Sequence, residues 1–172
     1  MLDAEPRPGA TGRPGVYECR QAILLVSPAP EDHAFLRPLL STAGRKAYFT
    51  RTYREAVGVL CRDRISVIIC ERDLPDGKWK DLLSQIAPLS DPPCLIVASR
   101  LADEFLWAEV LNLGGYDVLA KPFDAEEVAR VVALACESWE REYSRRQESA
   151  GWQKPPAREQ TTVRVFKSGA GG

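Results

Sequence analysis

Short apolar runs alternate with helix-like periodicity along most of the chain from residue 21 onward. Runs of apolar or strand-favouring residues predict five strands, at 22–26, 46–50, 65–70, 93–98 and 116–120. Apolar residues spaced three or four apart predict five helices between and after these strands, at about 31–43, 53–62, 79–86, 102–113 and 125–145.

This alternation predicts an α/β domain in which a parallel sheet lies between two layers of helices. Five repeated units fit the flavodoxin-like (βα)5 three-layer sandwich, whose strands are arranged in the order 2-1-3-4-5. In that order the carboxyl ends of the first and third strands border a crevice where ligands bind. We therefore expect Ser27, Pro28 and Glu71 at the crevice.

The segments outside this pattern differ in composition. Residues 1–20 are rich in proline, glycine and charge, and we expect a flexible N-terminal segment there. The folded domain is expected over residues 21–146, followed by a flexible C-terminal tail over 147–172. The sequence shows neither a signal-peptide pattern nor an apolar run of membrane-spanning length, so we expect a cytoplasmic location and no membrane partner.

Charge is distributed unevenly along the chain. Residues 141–172 carry seven basic and three acidic side chains, whereas residues 21–140 carry 13 basic and 18 acidic ones. An acidic body does not favour nucleic acid as a partner, which leaves the basic segment from Arg141 to Lys167 as an alternative contact for phosphates. The five cysteines show no metal-like pairing and predict neither a disulfide framework nor a zinc site.

Two motifs follow the third and fifth predicted strands. The third strand leads into residues 71–77 (ERDLPDG), and about fifty residues later residues 116–123 read YDVLAKPF. With this order and spacing, residues 21–140 resemble the receiver domain of bacterial response regulators. The resemblance implies a signalling module of a two-component or phosphorelay pathway rather than an enzyme. In that family an aspartate at the end of the third strand accepts a phosphoryl group, and Glu71 stands at the corresponding position.

The resemblance assigns roles to five further positions. Receivers end their first strand with two acidic residues that help to hold Mg²⁺, but Ser27 and Pro28 carry no carboxylate. The hydroxyl residue that ends the fourth strand corresponds to Ala98, and the aromatic switch residue corresponds to Val118. Lys121, which in the family binds the phosphoryl group, is retained. The pattern predicts a degenerate receiver, a pseudo-receiver, with no metal and no cofactor.

Glu71 permits three interpretations. Its side chain is one methylene longer than aspartate and places the oxygen roughly 1.5 Å further out, whereas attack on phosphorus is sensitive to about 1 Å. We expect no useful autophosphorylation and interpret Glu71 as a static partner of Lys121 or as a mimic of the phosphorylated state. A true phosphoacceptor that uses Glu71 atypically is the alternative. Glu31 and Asp32 fall on the first helix, where we do not expect them to restore the lost acidic pair.

The fourth helix is more apolar than one buried face requires. Leu106, Val110 and Leu113 suffice for the core, which leaves Phe105 and Trp107 as candidates for an exposed contact surface. In receivers the fourth helix, fifth strand and fifth helix commonly form a face for dimers or partners. We therefore expect protein partners of a bacterial signalling pathway, and a possible homodimer, at this face. Trp139 on the fifth helix either extends it or covers the edge of the core, and His33, the only histidine, is expected on the solvated surface.

Overall fold

The computed structural model describes residues 21–41 and 45–151 of the chain, which form a parallel sheet with helices on both faces. The strands are β1 (Ala22–Val26), β2 (Lys46–Thr50), β3 (Val67–Glu71), β4 (Asp73–Leu74), β5 (Gly77–Lys78), β6 (Cys94–Ser99) and β7 (Asp117–Ala120). The helices are α1 (Pro30–Leu40), α2 (Tyr53–Leu60), α3 (Trp79–Ile86), α4 (Glu104–Leu113) and α5 (Ala125–Gly151).

The main sheet has the order β2-β1-β3-β6-β7, and every neighbouring pair in it is parallel. This is the predicted 2-1-3-4-5 order, because β6 and β7 are the predicted fourth and fifth strands. The strands β4 and β5 were not predicted. They form a short antiparallel hairpin in which Asp73 pairs with Lys78 and Leu74 with Gly77.

Alternate residues of the central strands supply two separate cores. Leu24 and Val26 of β1 pack toward α2, α3 and α4, whereas Ile23 and Leu25 pack toward α1 and α5. Strands that are covered on both faces in this way require the unbroken apolar runs seen in the sequence. The carboxyl ends of β1, β3 and β7 therefore emerge together at one edge of the sheet, between the two helical layers.

Acidic side chains fix the starts of three helices. Asp103 accepts a hydrogen bond from the Leu106 amide (2.8 Å) before α4, and Asp124 accepts one from the Glu127 amide (2.8 Å) before α5. Asp76, in the β4–β5 hairpin, accepts bonds from the first amides of α2, at 2.7 Å and 3.0 Å. Carboxylates at these positions satisfy amides that have no partner within the helix. The hairpin thereby anchors α2 next to the carboxyl end of β3.

Two expectations about element ends need correction. Helix α5 continues to Gly151, past residue 145, where we expected this helix to end. Leu113 closes α4 with about half of its surface exposed, so that Leu106 and Val110 alone of the three expected residues are buried. Residues 1–20 and 152–172, which hold both expected flexible segments except 147–151, lie outside the described part of the chain, as do residues 42–44. Among the described residues, no helix combines the length and apolar character that a membrane crossing needs.

Candidate functional site

Backbone hydrogen bonds at the carboxyl edge of the sheet place three of the predicted site positions side by side. Glu71 pairs in register with Ala98, and the next amide, of Arg72, donates to the Ala98 carbonyl at 2.9 Å. The Lys121 amide donates to the Ser99 carbonyl at 3.0 Å, and the Lys121–Pro122 peptide bond is cis. The side chains of Glu71 and Lys121 consequently meet above the ends of β3 and β7.

The Lys121 ammonium lies between two carboxylates. It donates hydrogen bonds to Glu71 Oε2 and to Asp32 Oδ2, and the same Asp32 oxygen accepts a 2.5 Å bond from Ser27 Oγ. The side chains of Lys121 and Asp32 are each 7% exposed, against 18% for Glu71. Ion pairs shielded from water in this way interact more strongly than surface pairs, although their desolvation opposes the gain. We call Ser27, Asp32, Glu71 and Lys121 the ammonium cluster.

Asp32 is the site residue that our sequence analysis missed. We did not expect it to replace the lost acidic pair, yet it lies on the buried face of α1 together with Leu36 and Leu40. Positions 32, 36 and 40 are four residues apart and so share one helical stripe. An acidic residue on an otherwise apolar stripe is a signal that the sequence contained, because a buried carboxylate needs a partner. Here that partner is Lys121.

The two positions that the resemblance assigns to metal-binding acids behave differently from each other. Ser27 is buried, and its hydroxyl accepts a 3.2 Å bond from the Ala29 amide besides donating to Asp32. Pro28 is exposed and offers the pocket no side-chain ligand. His33 is half-buried rather than solvated as expected. Its Nε2 lies 2.7 Å from the Ser27 carbonyl oxygen, so that a residue of α1 holds the end of β1.

The two predicted switch positions lack the groups that a phosphoryl switch uses. Ala98 is buried and has no hydroxyl, while the hydroxyl of the adjacent Ser99 accepts a 3.0 Å bond from the Leu101 amide. Val118 is half-buried and packs against the core beneath α2, α3 and α4. A β-branched side chain of this size has one favoured rotamer and no ring to swing.

A divalent cation of the kind that receivers bind does not fit this pocket. Mg²⁺ takes hard oxygen ligands, usually including free carboxylates, and both carboxylates of the ammonium cluster are already bound to Lys121. Two positive unit charges about 4 Å apart repel by about 4 kcal/mol at an effective dielectric constant of 20, so the Lys121 ammonium offsets part of the attraction that the two carboxylates would exert on a cation. Within the described residues, no group of three or more His, Cys, Asp or Glu side chains is placed to hold a metal.

The ammonium cluster borders a cavity of about 460 Å³. One wall is aromatic, because Phe35 of α1 stacks on Phe123 with ring centroids 6.0 Å apart. At the rim, Arg100 pairs with Glu31 at 3.6 Å, and both side chains are mostly exposed. The cavity is lined by Glu31, Asp32, Phe35, Arg100, Lys121, Pro122 and Phe123. A small molecule can therefore approach Lys121 and Asp32 from the solvent.

The expected contact surface is not continuous, because its two aromatic residues on α4 lie on different sides of that helix. Phe105 (86% exposed) lines a second cavity, of about 470 Å³, with Trp79 and Lys80 of α3. Trp107 (51% exposed) faces the other way and donates from Nε1 to Asp117 of β7 at 3.3 Å. Trp139 belongs to neither surface. It is 3% exposed and stacks on Tyr143, so the interpretation of Trp139 as a cover for the core is the one that its burial favours.

Cys70 of β3 and Cys94 of β6 differ in burial. Cys70 is fully buried at the end of β3, and burial raises the pKa of its thiol far above the usual range, an effect that the neighbouring Glu71 carboxylate increases. Cys94 is half-buried, and partial burial raises its pKa to about 11. Both thiols therefore remain protonated near neutral pH and behave as apolar groups.

The fold and the edge of the sheet that carries the site are those of a receiver, and comparison with known proteins agrees. The chain belongs to the response regulator receiver domain family, whose model matches residues 23–133. It is therefore a receiver domain of the type found in two-component response regulators, as the motifs at residues 71–77 and 116–123 indicated.

Two curated relatives from Pseudomonas aeruginosa illustrate the relationship. The chain is 33% identical over 122 residues to the response regulator protein PilR, an alignment that covers 67% of this chain and 26% of that protein. It is 25% identical over 122 residues to the C4-dicarboxylate transport transcriptional regulatory protein DctD, covering 70% of this chain and 26% of that protein. The chain thus spans about a quarter of the length of the curated relatives it matches.

Solved structures show the same fold. The signal receiver domain of an HD domain-containing protein from Pseudomonas fluorescens Pf-5 superimposes with a TM-score of 0.67 at 28% identity, covering 73% of this chain and 93% of that one. The chemotaxis response regulator CheY4 of Vibrio cholerae gives a TM-score of 0.61 at 18% identity, covering 67% and 98%. The second likeness shows the fold alone, and together they confirm the predicted flavodoxin-like sandwich.

Proposed function

We propose that this chain is a pseudo-receiver, a receiver module that signals by protein–protein contact and does not cycle through phosphorylation. The observation that carries the proposal is the ammonium cluster. Lys121, the group that a receiver directs at an incoming phosphoryl group, donates instead to Asp32 and Glu71. An ammonium already paired with two carboxylates has little attraction left for an incoming phosphoryl oxygen.

The surrounding positions support the same conclusion. Phosphoryl transfer depends on positioning and on cations that compensate the charge of the transferring group. Ser27 and Pro28 provide no carboxylate for such a cation, and Ala98 provides no hydroxyl. Glu71 is a carboxylate nucleophile in principle, but its oxygen is displaced and already accepts a bond from Lys121.

The cavity beside Lys121 is large enough for a small phosphodonor such as acetyl phosphate, so such a molecule can reach Lys121 from the solvent. The test is incubation of the full chain with acetyl phosphate and Mg²⁺, read by intact mass and by retardation in a phosphate-binding gel. We expect no phosphorylated species. Beryllofluoride with Mg²⁺, monitored by the amide chemical shifts of residues 71–73 and 119–123, is expected to cause no specific change.

A matched variant shows whether the assay can detect phosphorylation on this scaffold. The triple change Ser27→Asp, Pro28→Asp and Glu71→Asp supplies the acidic pair and the shorter acceptor, and its phosphorylation would give a positive control. Phosphorylation of the wild type that is lost in Glu71→Gln would overturn the proposal. It would establish the alternative in which Glu71 is an atypical acceptor.

The contact surface that we propose is the flank of α4 that carries Trp107, beside β7. Trp107 is half-exposed, and Leu111, one helical turn further on, is also exposed, so that an apolar strip adjoins the β7 edge of the sheet. The partner is a protein of a bacterial two-component or phosphorelay pathway, or a second copy of this chain. Sedimentation of the wild type over a range of concentrations, compared with Trp107→Ala, tests the second possibility.

Nucleic acid is not the partner that we propose. In the described part of the basic segment, Arg145 pairs with Glu142, and Arg146 donates to the Ser90 carbonyl at 3.3 Å. These contacts leave α5 with a mixed rather than a uniformly basic surface. A DNA titration at several salt concentrations is expected to show no binding at physiological ionic strength, whereas measurable binding there that falls steeply as salt is raised would favour the alternative.

A further inference from the structure

The ammonium cluster contains a residue that the receiver motifs do not predict. Asp32 comes from α1, whereas Glu71 comes from β3 and Lys121 from the loop between β7 and α5. Three elements are therefore connected through one ammonium group. Asp32 is as buried as Lys121 and is more buried than Glu71.

We infer that Lys121 is the resident cation of this pocket, where its ammonium takes the place of a divalent cation, and that Asp32 is the positioning residue that keeps it there. This inference rests on the proposed function and extends it. The proposed function says that the pocket does not undergo phosphorylation, whereas the inference says which group pairs with its two carboxylates and which residue holds that group.

Asp32 is better placed than Glu71 to hold the ammonium. Its backbone is fixed within α1, where Leu36 and Leu40 anchor the same stripe in the core. Its Oδ2 atom is also fixed by the Ser27 hydroxyl at 2.5 Å. Glu71 has a longer side chain, a larger exposed fraction and no other hydrogen bond to its carboxylate among the described residues. A hydrogen-bonded and buried carboxylate loses less freedom when it binds the ammonium.

The consequence is a pocket in which the Lys121 ammonium compensates part of the negative charge of the two carboxylates. Divalent cations at millimolar concentration should leave the wild type unchanged, because both carboxylates are occupied by Lys121. Removal of the ammonium by Lys121→Met leaves Asp32 and Glu71 facing each other without a cation. Two carboxylates that converge in a shielded pocket favour a divalent cation, so this variant should gain affinity for one.

Mn²⁺ is the probe, because its paramagnetism broadens the amide signals of nearby residues. We expect no site-specific broadening near Asp32, Glu71 or Lys121 in the wild type. Lys121→Met should show broadening at these positions with an apparent affinity at least about tenfold higher, a difference of about 1.4 kcal/mol. The double variant Lys121→Met/Asp32→Asn should lose most of this gain. Broadening in the wild type, or none in Lys121→Met, would overturn the inference.

A second measurement does not require Lys121→Met to fold. An ammonium held by two carboxylates exchanges its protons slowly with water, so Lys121 should give a lysine side-chain NH₃⁺ signal in proton–nitrogen spectra. Asp32→Asn should broaden or abolish this signal, whereas Glu71→Gln should weaken it less. An unchanged signal in Asp32→Asn would contradict the role of Asp32 while leaving the proposed function intact. Phosphorylation by acetyl phosphate would instead overturn the proposed function.

Discussion

Phe105 and Trp107 are two residues apart on α4 and face different neighbours. Trp107 donates to Asp117 of β7, whereas Phe105 lines the cavity next to α3. Residues at positions i and i+2 of an α-helix point in directions about 200° apart, so one flat partner cannot cover both rings equally. The single aromatic surface that the sequence predicted is therefore two surfaces, of which the Trp107 surface adjoins the edge strand.

This separation predicts different effects for two matched variants. Trp107→Ala should weaken binding to a protein partner, or self-association, by about 2 kcal/mol or more, because exposed tryptophans at interfaces often contribute this much. Phe105→Ala should change binding by less than about 1 kcal/mol. The measurement is affinity for a partner captured with the wild type, or the dimer constant from sedimentation. The opposite ranking would move the proposed contact surface to the α3 side of α4.

The ammonium cluster predicts an order of stability among three variants. Lys121→Met should destabilise the domain most, by about 3–5 kcal/mol, because it leaves two buried carboxylates without their cation. Asp32→Asn should cost about 1–3 kcal/mol, since Ser27 and Lys121 each lose a charged acceptor. Glu71→Gln should cost about 1 kcal/mol or less, because this side chain is the most exposed of the three.

The order is measured by urea denaturation at neutral pH and low salt. Equal losses for Asp32→Asn and Glu71→Gln would show that the two carboxylates hold Lys121 equally. A stable Lys121→Met would show that the carboxylates separate or bind a proton when the ammonium is removed, and this explanation would be checked by repeating the denaturation at lower pH.

The burial of Trp139 predicts a structural rather than an interfacial role. Trp139 is 3% exposed and stacks on Tyr143 at 5.2 Å, so Trp139→Ala should lower the free energy of unfolding by about 3–5 kcal/mol. Trp107→Ala serves as a control of the same chemistry and should cost about 1 kcal/mol or less, because Trp107 is half-exposed. Thermal denaturation of the two variants side by side gives the comparison. A small loss for Trp139→Ala would contradict the interpretation as a cover for the core.

Replacing each of two glycines by alanine is expected to change the free energy of unfolding in opposite directions. A methyl group on Gly115 would lie 2.4 Å from Val110 Cγ1 and 3.0 Å from the Val110 carbonyl oxygen, so Gly115→Ala should destabilise the domain by about 1–3 kcal/mol. Gly58 lies inside α2 with open space around the same position, and Gly58→Ala should stabilise it by about 0.5–1 kcal/mol. Both follow from denaturant midpoints. A neutral Gly115→Ala would mean that α4 and the start of β7 can separate slightly.

Much of the fold could be predicted because its signals are local. The apolar runs that the sequence places at 22–26 and 46–50 coincide with β1 and β2, and the periodic stretch at 79–86 coincides with α3. Strand order follows from the number of alternating units and from the handedness of their connections. The β4–β5 hairpin escaped prediction because two-residue strands have no periodicity to detect.

The residues of the site also fall into those that the sequence predicted and those that it did not. The contact between Glu71 and Lys121 was predicted, because both positions follow strands and their motifs occur in a familiar order. Asp32 was missed, although it shares a stripe with Leu36 and Leu40, because we considered its place in the sequence and not its face on the helix. His33 was expected in solvent for the same reason, yet it contacts the end of β1.

Local periodicity is sufficient for the five strands of the main sheet, most helices and the edge of the sheet where the site lies, since each depends on residues near one another in the chain. The partner of Lys121 on α1 and the opposite directions of Phe105 and Trp107 depend on how separate elements pack. Those relations arise between residues far apart in sequence, and packing decides them because a helix can bury only the stripe that faces its neighbours.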